Sequence, residues 1–233
     1  MINARSYWVT GAANGVGLAL AQGLLEQGHR VAASGKDCQE LNALAAQHGA
    51  NLLCLDGQLQ DASEAHAVNA LLQARWGALD GLIINAGTCD YLPTDLPANE
   101  LIGAIATSNL LASEHALAIA LALLAKGDRP QVMGLVSRYS ALQLGEPTQP
   151  LRGANSLPQW FRTQRQHLQD QGIDLTLVAP GSLKAPVTSE VLAIPEDWTA
   201  TRAAAELIKR LEARQPELVL EVLDPTQLWP LPH

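Results

Sequence analysis

A glycine-rich segment near the N-terminus has the composition and spacing of an anion-binding turn. Residues 10–17 have the sequence T-G-A-A-N-G-V-G and connect a short apolar run to a segment of helical periodicity. In a strand-to-helix connection, Gly11 permits a sharp turn, Gly15 lets a pyrophosphate approach the backbone, and Gly17 allows the helix to pack closely on the strand. The helix N-terminus then offers free N–H groups and positive potential to the phosphates. By themselves these glycines are equally compatible with a tight connection that binds no ligand.

Short apolar runs alternate with longer segments of helical periodicity, which predicts a Rossmann-type, doubly wound α/β fold with a parallel sheet of about seven strands. The predicted strands are 7–10, 30–34, 52–55, 81–85, 132–136, 173–178 and 218–222. The predicted helices are 15–27, 39–48, 62–76, a long segment ending near residue 124, a segment from about residue 157 to before residue 172, and 199–214. Right-handed crossovers place helices on both faces of such a sheet, so ligands are expected at the carboxyl ends of the strands. The 233 residues suffice for one well-buried core, and a single domain over residues 1–233 is expected.

The charge balance argues against several classes of partner. The formal net charge is -8 and the pI is near 5.2, whereas a nucleic acid or an anionic membrane would need a basic surface. Residues 1–6 do not have the pattern of a targeting peptide, so a cytoplasmic protein is expected. Cys38, Cys54 and Cys89 are odd in number and widely spaced, which favours reduced thiols. The six histidines lack metal-ligand spacing, and no metal is expected.

The segment 110–124 is apolar around most of the predicted helix, so both of its faces favour burial. Its length and its interruption by Glu114 and His115 argue against a membrane span. The alternatives are a helix covered on all sides or a subunit interface, of which the interface is favoured. We therefore expect a homodimer or a homotetramer.

The turn has the T-G-x-x-x-G-x-G spacing of the short-chain dehydrogenase/reductase family, and later segments resemble that family in the same order. Asp56 matches its adenine-contacting aspartate, Asn85-Ala86-Gly87 its N-A-G motif, and Pro180-Gly181 its nicotinamide-side turn. Asn109 and Ser137 match the asparagine and the serine of its catalytic tetrad. The resemblance implies an oxidoreductase acting on a small carbonyl or alcohol substrate. It also implies cofactor contacts from the residues of the turn, namely Thr10, Gly11, Asn14, Gly15, Val16 and Gly17.

The end of the second strand bears on the choice of cofactor. An acidic side chain there pairs with the ribose 2′-hydroxyl of NAD and repels a 2′-phosphate. Gly35 occupies the matching position, and Lys36, which follows it, has the charge to neutralise a 2′-phosphate, with Asp37 as a nearby opposing charge. NADP(H) is therefore expected to be preferred over NAD(H). A solvated lysine at the start of a helix is the alternative interpretation of Lys36.

The catalytic pair of the family, a tyrosine followed four residues later by a lysine, is missing from the sequence. A phenol with a pKa of about 10 is a poor base at neutral pH, and the lysine is what lowers that pKa. The tyrosines, at positions 7, 91 and 139, have no lysine four residues on. Alignment with the family sets Arg152 and Ser156 at the two positions. Pro158 further predicts a helix that begins only near Leu157, with Ser156 as its cap.

Two functional hypotheses follow. In the first, the protein is an NADP(H)-dependent oxidoreductase with a rearranged site, in which Tyr139 supplies the proton and Lys184 or Arg152 the positive charge. In the second, it binds NADP(H) without turnover, as a redox-responsive regulator or as an inactive partner subunit. The alternative for Tyr139 is a loop aromatic that only packs its ring. A wholly structural protein would require the turn at 11–17 to bind no ligand.

Overall fold

Seven parallel strands form one sheet in the part of the chain that this computed structural model describes, which comprises residues 4–36, 39–86, 98–136, 157–180 and 200–220. The strands are β1 (Ser6–Val9), β2 (Arg30–Gly35), β3 (Leu52–Asp56), β4 (Gly81–Ala86), β5 (Gln131–Val136), β6 (Asp174–Pro180) and β7 (Glu217–Leu220). Their order across the sheet is β3-β2-β1-β4-β5-β6-β7, so the progression reverses between β1 and β4. Open parallel sheets bind ligands outside the carboxyl ends of the strands at such a reversal.

Helices cover both faces of this sheet. Those in the described residues are α1 (Gly15–Glu26), α2 (Gln39–His48), α3 (Ala62–Arg75), α4 (Ala98–Leu124), α5 (Leu157–Asp170) and α6 (Ala200–Leu211). One buried apolar cluster joins α1, α2 and α6 to the sheet, and a second joins α3, α4 and α5 to it. Successive strand residues alternate between the clusters: Val31 and Ala33 belong to the first, and Ala32 to the second. The strands are therefore apolar on both faces, as a parallel sheet between two helical layers requires.

The predicted doubly wound α/β class is confirmed, and the predicted bounds shift by a few residues. β1 ends at Val9, so Thr10, predicted as the last strand residue, already belongs to the connection that follows. β6 extends to Pro180, two residues beyond the predicted end. α5 begins at Leu157, because Pro158 lacks an N–H and is tolerated only in the first turn of a helix. The predicted cap, Ser156, lies outside the described residues.

Helix α4 corrects one prediction. It has 27 residues, and its segment Thr107–Leu124 is long and apolar enough to cross a membrane, so the argument from length was wrong. By length and composition a core helix passes the same test, and α4 packs one face on the sheet through residues such as Leu117 and Leu123. On the other face, where Leu111 is 40% exposed, no described residue covers the helix fully. The sequence left a fully covered helix and a subunit interface open, and the favoured interface stays a prediction.

A polar network around Arg5 holds the amino ends of the strands together. The Arg5 guanidinium donates to the carbonyls of Asp80 at 3.2 Å, Asp128 at 3.0 Å and Arg129 at 2.8 Å. The Arg5 backbone N–H donates to Nδ1 of the buried His29 at 3.2 Å, so this ring nitrogen is unprotonated. Burial lowers the pKa of His29, and the nearby Arg5 charge lowers it further.

Candidate functional site

Hydrogen bonds to both neighbouring strands fix the connection between β1 and α1. The Thr10 N–H donates to the Ile83 carbonyl in β4 at 2.9 Å, and the Ala12 N–H donates to the Ser34 carbonyl in β2 at 2.9 Å. The connection is thus attached to the strands on either side of β1. It lies at the point where the strand order reverses, which is where the fold places a ligand.

Asn85, at the end of β4, gives its amide to this connection. Its Nδ2 donates to the Gly11 carbonyl at 3.0 Å, and its backbone N–H donates to Thr10 Oγ1 at 3.2 Å. The sequence predicted Asn85 as a cofactor-binding residue. In the structure its side chain shapes the turn that precedes α1.

The glycines of the turn are required by close backbone contacts. A Cβ at Gly17 would lie 2.1 Å from the Gly11 carbonyl oxygen and 2.8 Å from Asn85 Nδ2. A Cβ at Gly11 would lie 2.6 Å from the Asn85 carbonyl oxygen. Side chains at either position would push the turn away from β4 or lift α1 off the turn.

The N-terminus of α1 carries no side-chain cap. Asn14 is the N-cap residue, with an extended backbone at φ -154°, and its side chain accepts no hydrogen bond from the helix. The next residue, Gly15, has φ +54°, and the first turn holds no acidic residue. First-turn N–H groups of a helix have no partner within the helix, and the positive end of the helix dipole adds to their attraction for anions. This end of α1 is suited to a phosphate group.

An open cleft lies over the carboxyl ends of the first four strands, and its empty space of about 390 Å³ includes open solvent. Its lining comes from the β1–α1 turn, the end of β2, the loop after β3, the end of β4 and helix α4. The lining residues are Thr10, Gly11, Ser34, Gly35, Gly57, Leu59, Gln60, Asn85, Asn109 and Ala112. Sequence reasoning missed half of them, because Ser34, Gly57, Leu59, Gln60 and Ala112 carry no motif. Only their position could have indicated them, because they lie at or just after the end of a strand or, for Ala112, one helical turn from Asn109.

The end of β2 leaves no room for a side chain at Gly35. A Cβ there would lie 2.8 Å from Ala13 Cβ and 2.9 Å from Ala13 N. Gly35 pairs in register with Asp56, the last residue of β3. Asp56 and Lys36 are both exposed, and they flank the Gly35 side of the cleft without lining it. Their predicted contacts with a cofactor stay predictions.

Asn109 is a buried polar residue on the α4 side of the cleft. It is 4% exposed, and its Nδ2 has no hydrogen-bond partner among the described residues. Its backbone carbonyl accepts a bond from Ser113 Oγ at 2.7 Å, four residues along the helix. An unpartnered buried amide costs about 1–3 kcal/mol. Such a cost is typical of a group kept for a ligand or for catalysis.

The loop between β3 and α3, residues 57–61, is tied to the start of α3. The Asp61 N–H donates to the Gln58 carbonyl at 2.8 Å, and Glu64 Oε2 accepts a hydrogen bond from the Gln58 N–H. Asp61 caps the helix by accepting from the N–H groups of Ser63 and Glu64. Hydrogen bonds from the Ser63 hydroxyl and from these N–H groups hold the pKa of Asp61 below its usual range.

The remaining predicted site residues fall largely outside the described part of the chain. These are Gly87, Ser137, Tyr139, Arg152, Ser156 and Gly181, whereas Ala86 ends β4 and Pro180 ends β6. Val16 is buried in the first turn of α1. Among the described residues no group of three or more His, Cys, Asp or Glu side chains is placed to hold a metal ion.

Comparison with known proteins gives both a family and a set of related folds. The family described as short chain dehydrogenase matches residues 6–195. An oxidoreductase of Sarocladium schorii is 25% identical over 186 residues, which cover 79% of this chain and 74% of that protein.

Two solved structures share the fold. RhlG of Pseudomonas aeruginosa, solved as an active-site complex with NADP, superposes with a TM-score of 0.71 at 19% identity and covers 97% of each chain. YwfH, an NADPH-dependent reductase involved in bacilysin biosynthesis, superposes with a TM-score of 0.69 at 19% identity, covering 94% of this chain and 99% of its own. At these identities the two structures establish the shared fold.

Proposed function

Because the chain belongs to the short-chain dehydrogenase family of oxidoreductases, we propose that it binds NADP(H) in the cleft over β1 to β4 and uses it on a small carbonyl or alcohol substrate. The observation that carries the proposal is the connection from β1 to α1. It combines an uncapped helix N-terminus with a contact between Gly11 and Gly17 that brings the helix onto the turn. Both features favour a pyrophosphate held by backbone N–H groups.

The described residues fit such a cofactor. The exclusion of side chains at Gly11 and Gly17 keeps α1 close to the turn, and the N-terminus of α1 has no side-chain cap that would compete with a phosphate. At the opposite side of the cleft, the Asn109 amide has no hydrogen-bond partner among the described residues and can donate to a ligand. When bound, the nicotinamide ring supplies or accepts a hydride. Carbonyl reduction also consumes a proton and alcohol oxidation releases one, and Tyr139 is the residue to which we assign this proton transfer.

The preference for NADP(H) over NAD(H) rests on the end of β2. The contact with Ala13 excludes any side chain at Gly35, so a carboxylate cannot stand where it would pair with a ribose 2′-hydroxyl. Lys36 follows as an exposed cation. A 2′-phosphate therefore meets a positive charge at this place and no acid on residue 35.

A second candidate function is favoured by one sequence observation, the absence of a tyrosine with a lysine four residues later. Without that pair the phenol pKa is not lowered in the usual way, and hydride transfer lacks its proton partner. The chain would then bind NADP(H) without turnover, as a regulator or as a partner of an active subunit. Both functions share the same cofactor site.

One titration separates the two functions. NADPH binding is followed by the fluorescence of the reduced cofactor, and a panel of aldehydes, ketones and quinones is then added while NADPH oxidation is recorded. Oxidation that depends on the protein supports the enzyme, and in that case Tyr139→Phe lowers turnover by about two orders of magnitude. Binding at micromolar concentrations without oxidation supports the regulator. If neither NADPH nor NADH binds to the protein at millimolar concentration, both proposed functions are contradicted.

The uncovered face of α4 supports an oligomer. Leu111 is 40% exposed, and Ala118 and Ala122 continue an exposed apolar stripe on the same side of the helix. We propose that a second copy of the chain covers this face, giving a homodimer or a homotetramer. Light scattering of the purified protein measures the mass directly. A monomer at micromolar concentration contradicts the proposal, and Leu111→Glu is expected to reduce assembly.

A further inference from the structure

Two walls of the cleft come from elements that are distant in sequence. One wall is the β3–α3 loop, which contributes Gly57, Leu59 and Gln60. The other is the helix α4, which contributes Asn109 and Ala112. The width of the cleft between them depends on what holds the loop against the helix.

Among the described residues of α4, the side chain of His115 forms a hydrogen bond to the loop backbone. His115 Nδ1 lies 2.6 Å from the carbonyl oxygen of Leu59. His115 follows Ala112 by three residues, so the two share one face of the helix. Leu59 itself is 7% exposed and packs into the apolar cluster under α3 and α4. The hydrogen bond therefore joins the two walls directly beside the cleft.

The chemistry of this contact fixes the proton. A backbone carbonyl only accepts hydrogen bonds, so Nδ1 of His115 carries the hydrogen. The other backbone bonds of the loop join Gln58 to Asp61 and Glu64 at the beginning of its own helix, and the Gly57 N–H to the Gly35 carbonyl in β2. Among the described residues, none of these bonds reaches α4. Loss of the His115 bond would leave Leu59 O without this donor and free the loop to move away from α4.

We propose that His115 is a positioning residue of the cofactor site, holding the β3–α3 loop against α4 so that the cleft has the width that the adenine half of the dinucleotide requires. This inference rests on the proposed function. The loop is the part of the cleft that follows Asp56, and Asp56 is the residue matched to adenine contact. A fixed loop lowers the conformational cost of binding this half, whereas the nicotinamide half does not depend on it.

The test compares two fragments of the cofactor in matched variants. The probes are 2′,5′-ADP for the adenine half and nicotinamide mononucleotide for the other half, measured by calorimetry and by ligand-detected NMR. His115→Ala removes the donor, and His115→Asn places an amide N–H near the position of Nδ1. His66→Ala, which removes an exposed histidine from α3, serves as the control.

We expect His115→Ala to weaken 2′,5′-ADP binding about five- to tenfold, the cost of one lost hydrogen bond. Nicotinamide mononucleotide binding is expected to change less than about twofold, His115→Asn to recover most of the loss, and His66→Ala to match the wild type. Unchanged 2′,5′-ADP binding in folded His115→Ala overturns the proposal, as does an equal loss for both fragments. Failure of the wild type to bind 2′,5′-ADP or NADPH contradicts the proposed function itself.

The ¹⁵N chemical shifts of the His115 ring report its tautomer without any bound cofactor. In a ¹⁵N-labelled sample the His115 ring is expected to carry its proton on Nδ1. A neutral ring protonated on Nε2 alone would overturn the proposal, because that tautomer cannot donate to Leu59 O.

Discussion

Replacement of Gly17 by alanine tests the geometry of the β1–α1 connection at its tightest contact. The added Cβ would lie 2.1 Å from the Gly11 carbonyl oxygen, whereas carbon and oxygen in contact stay about 3.3 Å apart, so the N-terminus of α1 has to retreat by about 1.2 Å. Overpacking of this kind costs about 1–3 kcal/mol. The higher helix propensity of alanine returns about 1 kcal/mol. We expect a net loss of up to about 2 kcal/mol in the free energy of unfolding.

The loss in cofactor affinity should exceed the loss in stability. A displacement of about 1.2 Å takes N–H groups of the first turn out of the range of about 2.7–3.2 Å in which they bond a phosphate oxygen. Two hydrogen bonds to a charged group, at about 1.5 kcal/mol each, amount to about 3 kcal/mol. The expected Kd for NADPH therefore rises about a hundredfold or more.

Gly23 supplies the matched control, because it lies in the same helix. A Cβ there would meet only the end of a flexible side chain, Ile208 Cδ1, at 2.7 Å. Gly23→Ala should remain within about 1 kcal/mol of the wild type and bind NADPH normally. Urea unfolding and NADPH fluorescence measure the two quantities. An NADPH Kd within threefold of wild type in folded Gly17→Ala would refute the reasoning, as would an equal loss of affinity in Gly23→Ala.

Three further predictions concern single side chains. Lys36→Gln should weaken NADPH binding about tenfold and leave NADH binding unchanged in parallel titrations; equal effects on both would exclude a contact with the 2′-phosphate. Asn109→Leu should raise the free energy of unfolding by about 1 kcal/mol, because it removes a buried amide that has no partner among the described residues. The same variant should lower cofactor-dependent activity. A loss of stability in urea unfolding would mean that the amide is satisfied in the fold. The depressed pKa of His29 means that the unfolded chain binds the proton more readily, so stability should fall as the pH drops below about 6.5. His29→Asn, which keeps an acceptor for the Arg5 N–H, should flatten that decline between pH 7.5 and pH 5, and an unchanged slope would assign it to other groups.

The order of strands and helices was predictable because each is set by local patterns. The apolar runs and the helical periodicity locate the elements, and proline geometry alone places the start of α5, where Pro158 follows Leu157. The glycine spacing likewise locates the turn before α1. Such features depend on residues within one or two turns of each other.

The cleft lining was not predictable in the same way, because it depends on contacts between distant elements. Leu59 and Ala112 have no chemical signature, and only the packing of the β3–α3 loop against α4 brings them to the cleft. The role of Asn85 was also hidden, since its amide bonds a carbonyl 74 residues earlier in the chain. The position of α4 in the fold, and not its composition, decides that one of its faces is buried and the other uncovered.

The strand order has a consequence for local unfolding of the molecule. The residues that line the cleft all lie between Thr10 and Ala112, on the β3-β2-β1-β4 side of the sheet. A ligand that binds only the folded form stabilises the segments that form its site against local unfolding. A bound dinucleotide would therefore slow amide hydrogen exchange in the first half of the chain. The exchange rates of β6 and β7 would stay unchanged. The two halves of one continuous sheet would then differ in local stability, with the boundary between β4 and β5.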